Sequence, residues 1–262
     1  MADGALMARG EGASVDRIVF LGHATVLIEL DGVRLLTDPV LGGRVAHLRR
    51  HAPPLGEGVI AGVDAVLISH FHHDHLDLAS LRRLGREMPL LVPAGAGAWL
   101  RRRQFARVSE MRAGDVQHVG ALAIGAVTAE HDGHRFPGGP QAETLGYLVR
   151  GARRVYFAGD TELFAGMSAL APGLDVALLP VGGWGPTLGP GHMDPLQAAR
   201  ASALLRPRLA IPIHWGTLAP VTLRRRERRW LSDPPRLFAE HVARLAPGVE
   251  ALTLAPGEQV TL

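Results

Sequence analysis

Four apolar runs in this chain each stop on a residue type that binds metal ions. VLIS ends at His70, IGAVTAE at His131, RVYFAG at Asp160 and LAIPI at His214. Each run is short and apolar, so each reads as a buried strand. Strand ends are rigid and can point side chains into a common cleft. A fold that honours all four runs must bring four strand ends to one place.

The densest part of the pattern is VLISHFHHDHLD, residues 66–77, with four histidines and two aspartates. Unpaired buried charges cost roughly several kcal/mol each. A metal ion is the simplest partner that holds such groups together. The spacing is His70-x-His72-x-Asp74-His75, not the HExxH of a helical zinc site. Residues i and i+2 share one side of an extended chain, so His70 and His72 can grip one ion. Asp74 and His75 then face a second. The chain has no cysteine, so a metal must sit on imidazole and carboxylate, which suit zinc, iron or manganese. Six or seven such ligands exceed one tetrahedral zinc but suit two ions about 3.5–4 Å apart.

The surrounding sequence alternates strands and helices. RIVFLG (17–22), TVLIEL (25–30) and VRLLTD (33–38) are strands, the last two joined by an Asp31-Gly32 hairpin turn. Residues 39–58 read as a long loop. A strand at 63–69, a helix at 76–87, a strand at 89–94 and a helix at 96–104 follow. Strands are expected at 121–130, 143–151, 153–160, 174–181 and 208–214. Helices are expected at 194–207, with Asp194 as N-cap and Pro195 first in the helix, and at 233–245. Helices and strands mix in both halves, which suggests two sheets sandwiched between helices.

Hydrophobic residues make up 47% of the 262 residues, enough for a sizeable core. Residues 1–16 read as a disordered tail and 17–262 as a single domain. No apolar run approaches the roughly eighteen residues that span a bilayer, and the tail lacks the apolar segment of a secretory signal. The expectation is a cytoplasmic protein with no transmembrane segment; oligomeric state leaves no signal. All 28 basic residues are arginine. They cluster at 101–107 and 224–229, read here as solvated helical faces, so nucleic acid is not the expected partner.

The runs SHFHHDH (69–75), AEHDGHR (129–135), FAGDTE (157–162) and IPIHWGT (211–217) together resemble the metallo-β-lactamase superfamily. LGHATVLIELDGVRLLTDPV (21–40) and GPGHMDPLQAA (189–199) resemble its branch of N-acyl-phosphatidylethanolamine phospholipase D and the ascorbate-6-phosphate lactonases. The resemblance covers roughly residues 17–262. It implies a four-layer αββα sandwich, two mixed β-sheets flanked by helices, with metals in a cleft at one sheet edge. It places His70, His72 and His131 on a first metal, Asp74, His75 and His214 on a second, and Asp160 between them. His73 falls on a variable position. A glutamate at position 72 would have pointed to a di-iron redox member; His72 points to hydrolysis.

Other residues take supporting roles. Asp38 and His23 follow strands and are expected behind the ligands, Asp38 orienting the ligand loop. His192, on a stiff glycine- and proline-rich loop, is the candidate acid for the leaving group, and Asp74 orients the nucleophile while ligating. Arg135 is a candidate grip for an anionic substrate. His134, Trp184, Trp215 and Tyr147 are equally readable as cleft or core; His47, His51, His118 and His241 read as structural or surface residues. The expected function is hydrolysis by a metal-bridging hydroxide with two divalent ions, zinc first and Mn2+ or Fe2+ as alternatives. The basic loop 44–51 and Arg135 favour a phosphodiester or another phosphorylated small molecule or lipid. A lactonase, a nuclease and a non-catalytic metal-binding module are the alternatives.

Overall fold

The computed structural model describes residues 15–222 and 229–262. Most of the expected tail, and the 224–229 arginine cluster apart from Arg229, lie outside the described residues. Asp16, expected in the tail, is tied down: its carboxylate accepts from the Asp31 amide, and its carbonyl accepts from the Leu262 amide.

The chain begins with β1 (Arg17–Gly22), β2 (Thr25–Leu30) and β3 (Val33–Thr37). β2 and β3 form the expected hairpin, with Asp31 at φ 49° and Gly32 at φ 76°, the doubly left-handed turn that Asp-Gly favours. The loop expected over 39–58 holds a small hairpin, β4 (Arg44–Val45) and β5 (Leu48–Arg50). Then come β6 (Ala65–Leu67), α1 (Leu78–Leu84), β7 (Leu90–Pro93), α2 (Gly97–Arg101) and β8 (Val108–Met111). The middle of the chain forms β9 (Val116–Val119), β10 (Leu122–Thr128), β11 (Leu145–Arg150), β12 (Arg154–Phe157) and β13 (Val176–Pro180). It closes with α3 (Pro195–Leu205), β14 (Leu209–Ile213), β15 (Leu218–Pro220), α4 (Arg229–Ser232), α5 (Pro234–Leu245), β16 (Glu250–Ala251) and β17 (Gln259–Thr261). α3 starts in a full capping box, Asp194 accepting from the Gln197 amide and Gln197 from the Asp194 amide. Asp233 makes no side-chain cap for α5.

Two seven-stranded sheets result, in the orders β17-β1-β2-β3-β6-β7-β8 and β16-β14-β13-β12-β11-β10-β9, with a three-stranded sheet β15-β5-β4. Alternation along each strand sorts side chains between layers. On β2, Val26, Ile28 and Leu30 face the core between the sheets, whereas Leu27 joins the cluster under α1 and α2. On β12, Val155 and Phe157 face the inter-sheet core, whereas Tyr156 packs with α3 and α5 residues such as Ala198, Leu205 and Phe238. This is the expected αββα sandwich.

Strand direction places the site. β3, β6 and β7 are parallel, and β1 runs with them because β1-β2 and β2-β3 are both antiparallel. β12, β13 and β14 are parallel, and β10 runs with them through antiparallel β11. The residues just past β1, β3, β6, β10, β12 and β14 therefore collect at common sheet edges: His23, Asp38, His70, His131, Asp160 and His214. Among the described residues no helix is long and apolar enough to cross a membrane.

Candidate metal centre

All the histidines and aspartates expected from the sequence as ligands lie in one cluster, as do His23, Asp38 and His192; His72, His131 and His192 are half-buried and the rest buried. One side holds His70, His72 and His131. His70 Nε2 and His131 Nε2 each approach His72 Nδ1 to 3.0 Å. The other side holds Asp74, His75 and His214, with His75 Nε2 3.1 Å from His214 Nε2. Between them lies Asp160, whose Oδ2 is 3.1 Å from both His75 Nε2 and His214 Nε2 and 3.9 Å from His70 Nε2.

The outer partners decide which ring nitrogens are bare. His131 Nδ1 donates to the Gly191 carbonyl and His214 Nδ1 to the Gly182 carbonyl, both at 2.7 Å. His75 Nδ1 donates to Asp38 Oδ2 at 2.7 Å. The Ser69 hydroxyl gives its one proton to Asp38 Oδ2, so at 2.9 Å it can only accept from His70 Nδ1. Carbonyl and carboxylate oxygens only accept, so all four rings carry a proton on Nδ1, and in the neutral rings Nε2 is bare. His70 Nε2 and His131 Nε2 thus turn free lone pairs to one side of the cluster, as nitrogens that hold a cation must. Asp160 Oδ1 is moreover buried with no hydrogen-bond partner. The donor set therefore fits a divalent cation of the imidazole- and carboxylate-binding type.

Charge divides the cluster. Burial pushes His70 well below its ordinary value and His131 down to about 4. Burial lowers His72 as well. Burial would also lower His75 and His214, but the Asp160 charge foremost outweighs it, holding His75 well above the ordinary value and raising His214 to about 9. Burial alone would raise Asp74 and Asp160; His75 and His214 hold both well below the usual carboxylate range. Burial pushes Asp38 up, only partly opposed by its donors His75 and Ser69.

His23 sits closer than its expected supporting place implies. Its Nε2 is 2.9 Å from Asp74 Oδ2 and its ring 3.9 Å from that of His214. Burial first, then the charge of His214, lowers it to about 4, so it is a neutral donor to Asp74. His23, Asp38 and His214 all have positive φ, at 58°, 33° and 62°. Such strain is tolerated where the surroundings fix it, often at functional sites.

His192 reaches the cluster. Its Nδ1 faces the carbonyls of Gly189 and Pro190, and its Nε2 lies 3.5 Å from Asp160 Oδ2. It lines a cavity of about 420 Å³ with Asp74, Asp160, His47, Phe136, Pro137 and Trp184. His47, read from sequence as structural or surface, meets Trp184 edge to face there. Trp215 and Tyr147 pack with the core, whereas His134 pairs with Asp132 in its own loop.

Arg135 departs from expectation. It is buried, and its Nη1 donates to the carbonyls of Phe71 and Leu76 at 2.9 and 3.1 Å. Its Nη2 lies 3.0 Å from His73 Nδ1, and its guanidinium stacks over Trp99. These contacts fasten Phe71 and Leu76, which bracket residues 72–75, while the side chain also lines the cavity beside the cluster. The basic residues of 44–51 also turn elsewhere: Arg44, Arg49 and Arg50 line a separate cavity. In the 101–107 cluster, Arg101 pairs with Glu110, and Arg103 covers Trp99 at 3.7 Å.

Sequence reasoning missed Ser69, which joins Asp38 to His70, and Gly191. Gly191 has φ +81°, and a Cβ there would lie 2.6 Å from His131 Nδ1. Its amide donates to Glu162 and its carbonyl orients His131. A glycine beside a candidate histidine was the only signal available.

Residues 33–215 match the family model of the beta-lactamase superfamily domain. A UPF0173 metal-dependent hydrolase of Koribacter versatilis is 34% identical, over 79% of this chain and 87% of its own length. The N-acyl-phosphatidylethanolamine-hydrolyzing phospholipase D 1 of Caenorhabditis elegans is 31% identical, over 76% of this chain and 63% of its own. Among solved structures, Igni18, a metallo hydrolase from Ignicoccus hospitalis, superposes with TM-score 0.74 at 25% identity, covering 95% of this chain and 99% of that one. With this fold, a histidine and aspartate cluster that could hold metal, and these relatives, the chain belongs to the metallo-β-lactamase superfamily of metal-dependent hydrolases.

Proposed function

We propose that the chain hydrolyses a phosphodiester that carries an apolar group, using two divalent ions, zinc foremost. The observation that carries this reading is the position of Asp160, its Oδ2 at 3.1 Å from His75 and His214 on one side and facing His70 on the other, its Oδ1 without a protein partner. His70, His72 and His131 would hold one ion, Asp74, His75 and His214 the other, with Asp160 shared. When bound, such ions lower the pKa of a coordinated water toward about 7 and offset charge developing on the attacked group.

The remaining work falls to side chains of this chain. His23 fixes Asp74 Oδ2 at 2.9 Å, so the carboxylate is oriented to take a hydrogen bond from the nucleophile. His192 turns Nδ1 to its own loop carbonyls and Nε2 toward the cluster. That orientation leaves Nε2 free to hand a proton to the leaving oxygen. Phe136, Pro137 and Trp184 offer the substrate an apolar wall, which suits a lipid-derived or aryl diester. The Caenorhabditis elegans relative, named for a phospholipid, supports that choice.

A carbonyl ester such as a lactone is the second reading. One observation favours it: among the described residues Arg135 is the only arginine lining the cavity, and its Nη1 is committed to protein carbonyls. Elemental analysis of protein purified without chelator should approach two ions per chain. The loaded protein is then assayed on bis(p-nitrophenyl) phosphate and on a set of lactones, with and without 1,10-phenanthroline. Chelator-sensitive diester cleavage supports the first reading, lactone turnover alone the second. Turnover of neither at two ions per chain rejects both.

A further inference from the structure

We propose that a second site, apart from the metal cluster, binds a phosphate group on Arg44, Arg49, Arg50 and Arg83. These four arginines line a cavity of about 530 Å³ that shares no lining residue with the metal cavity, and among the described residues no carboxylate lines it. The site does not depend on the hydrolase reading.

The hairpin concentrates charge against its own stability. Arg44 and Arg49 are direct cross-strand partners in the β4–β5 ladder, which has only two pairs. Like charges opposite one another in an antiparallel pair are destabilising. Arg50 follows at once, and Arg83 enters from α1. Arg50 spends Nε on the Pro53 carbonyl at 3.0 Å and Nη2 on the Leu21 carbonyl at 2.6 Å, but Nη1 is buried with no partner. A buried donor left unmade is expensive, and more so on a charged group. No ion pair joins Arg44, Arg49 or Arg83 to an acidic residue among the described residues.

A tetrahedral dianion answers the uncompensated charge of the cavity. It supplies acceptors on several sides, matches the planar fork of guanidinium, and screens the Arg44–Arg49 repulsion. The four arginines come from a hairpin and a helix, so a phosphate among them would tie α1 to the hairpin whose tip, Ala46 to Leu48, lines the metal cavity. The phosphate belongs either to a soluble compound or to a lipid headgroup; the chemistry is shared.

The test is calorimetric titration of the metal-loaded protein with inorganic phosphate at fixed ionic strength, in wild type, Arg83→Gln and the double variant Arg44→Gln/Arg49→Gln. Wild type should show one binding event beyond any at the metals. Both variants should weaken that event about tenfold or more, with metal content and hydrolysis rate unchanged. Arg83 is exposed on α1, so its variant guards against misfolding of the hairpin. Sedimentation with phosphatidylglycerol vesicles that Arg83→Gln loses assigns a headgroup, and phosphate binding without sedimentation assigns a soluble compound. Wild-type phosphate affinity in both variants overturns the site.

Discussion

The β4–β5 hairpin separates two cavities that treat charge in opposite ways. On one side, imidazoles and carboxylates interleave. The four histidines whose Nδ1 protons are pinned by carbonyl, hydroxyl or carboxylate partners, and Asp74 pinned by His23, all have set directions. On the other side, four guanidinium groups gather with no carboxylate between them among the described residues. The first arrangement is organised in advance, so its outer partners matter almost as much as its ligands. The second is uncompensated, so it is completed only by an anion from outside. A site built for an ion of one sign can be read from how fully the protein itself has oriented the opposing dipoles.

The largest expected effect strikes the first cavity. Asp160→Ala removes the side chain shared by both halves. Metal content measured by elemental analysis should fall, and kcat should drop by about 10³-fold or more; full occupancy in that variant would remove Asp160 from its bridging place. His192→Ala should lower kcat by about 10²-fold on substrates with poor leaving groups. Nitrophenyl esters, which need little protonation, should lose far less, and metal content should hold. Equal losses on both substrate types would make His192 a packing residue.

Smaller effects come from the outer partners. Asp38→Asn keeps the volume but turns an amide toward either Ser69 or His75, both of which donate to the carboxylate. Metal affinity, measured by competition with a chromophoric chelator, should weaken by about 10–100-fold. An unchanged affinity would show that the His75 ring needs no anchor. Gly191→Ala sets a methyl against His131 in a left-handed backbone. Thermal unfolding should reveal a loss of about 1–3 kcal/mol, together with weaker metal binding. The smallest change belongs to the second cavity. Arg44→Gln relieves the pair with Arg49, so stability should rise by about 0.2–1 kcal/mol while hydrolysis is untouched. A fall in stability would mean that the arginines are already compensated within the fold.

The layered fold and the gathering of these histidines and aspartates were legible because both follow from short-range rules. Apolar runs of strand length name the strands, and once their directions agree, the residues that end them must meet. The Asp31-Gly32 turn and the Asp194 cap were equally local. What escaped depends on distant partners. β5 is three residues long and exists because it pairs with β15, far along the chain, so 39–58 read as loop. Arg135 lies four residues from His131 and suggested a substrate contact. The turn between them instead carries its guanidinium to the carbonyls of Phe71 and Leu76. The positive φ of His23, Asp38 and His214 has no local cause, since none is glycine. It is imposed by contacts such as the His214 amide donating to the His23 carbonyl and the Asp38 amide to the Leu67 carbonyl.

The pairing of β5 with β15 has a kinetic consequence. β15 follows His214 after three residues, and its register sets Leu218 opposite Arg50, Ala219 opposite Arg49 and Pro220 opposite Leu48. Two further bonds flank it, from the His51 amide to the Thr217 carbonyl and from the Val221 amide to the His47 carbonyl. The hairpin and the His214 segment are thus laced together over their whole shared length. A fluctuation that lifts one exposes the other, so their amides should exchange with deuterium as one cooperative unit. Movement of this wall of the cavity would therefore disturb the strand end that carries His214, whereas Phe136 and Trp184, which line the same cavity, are exposed.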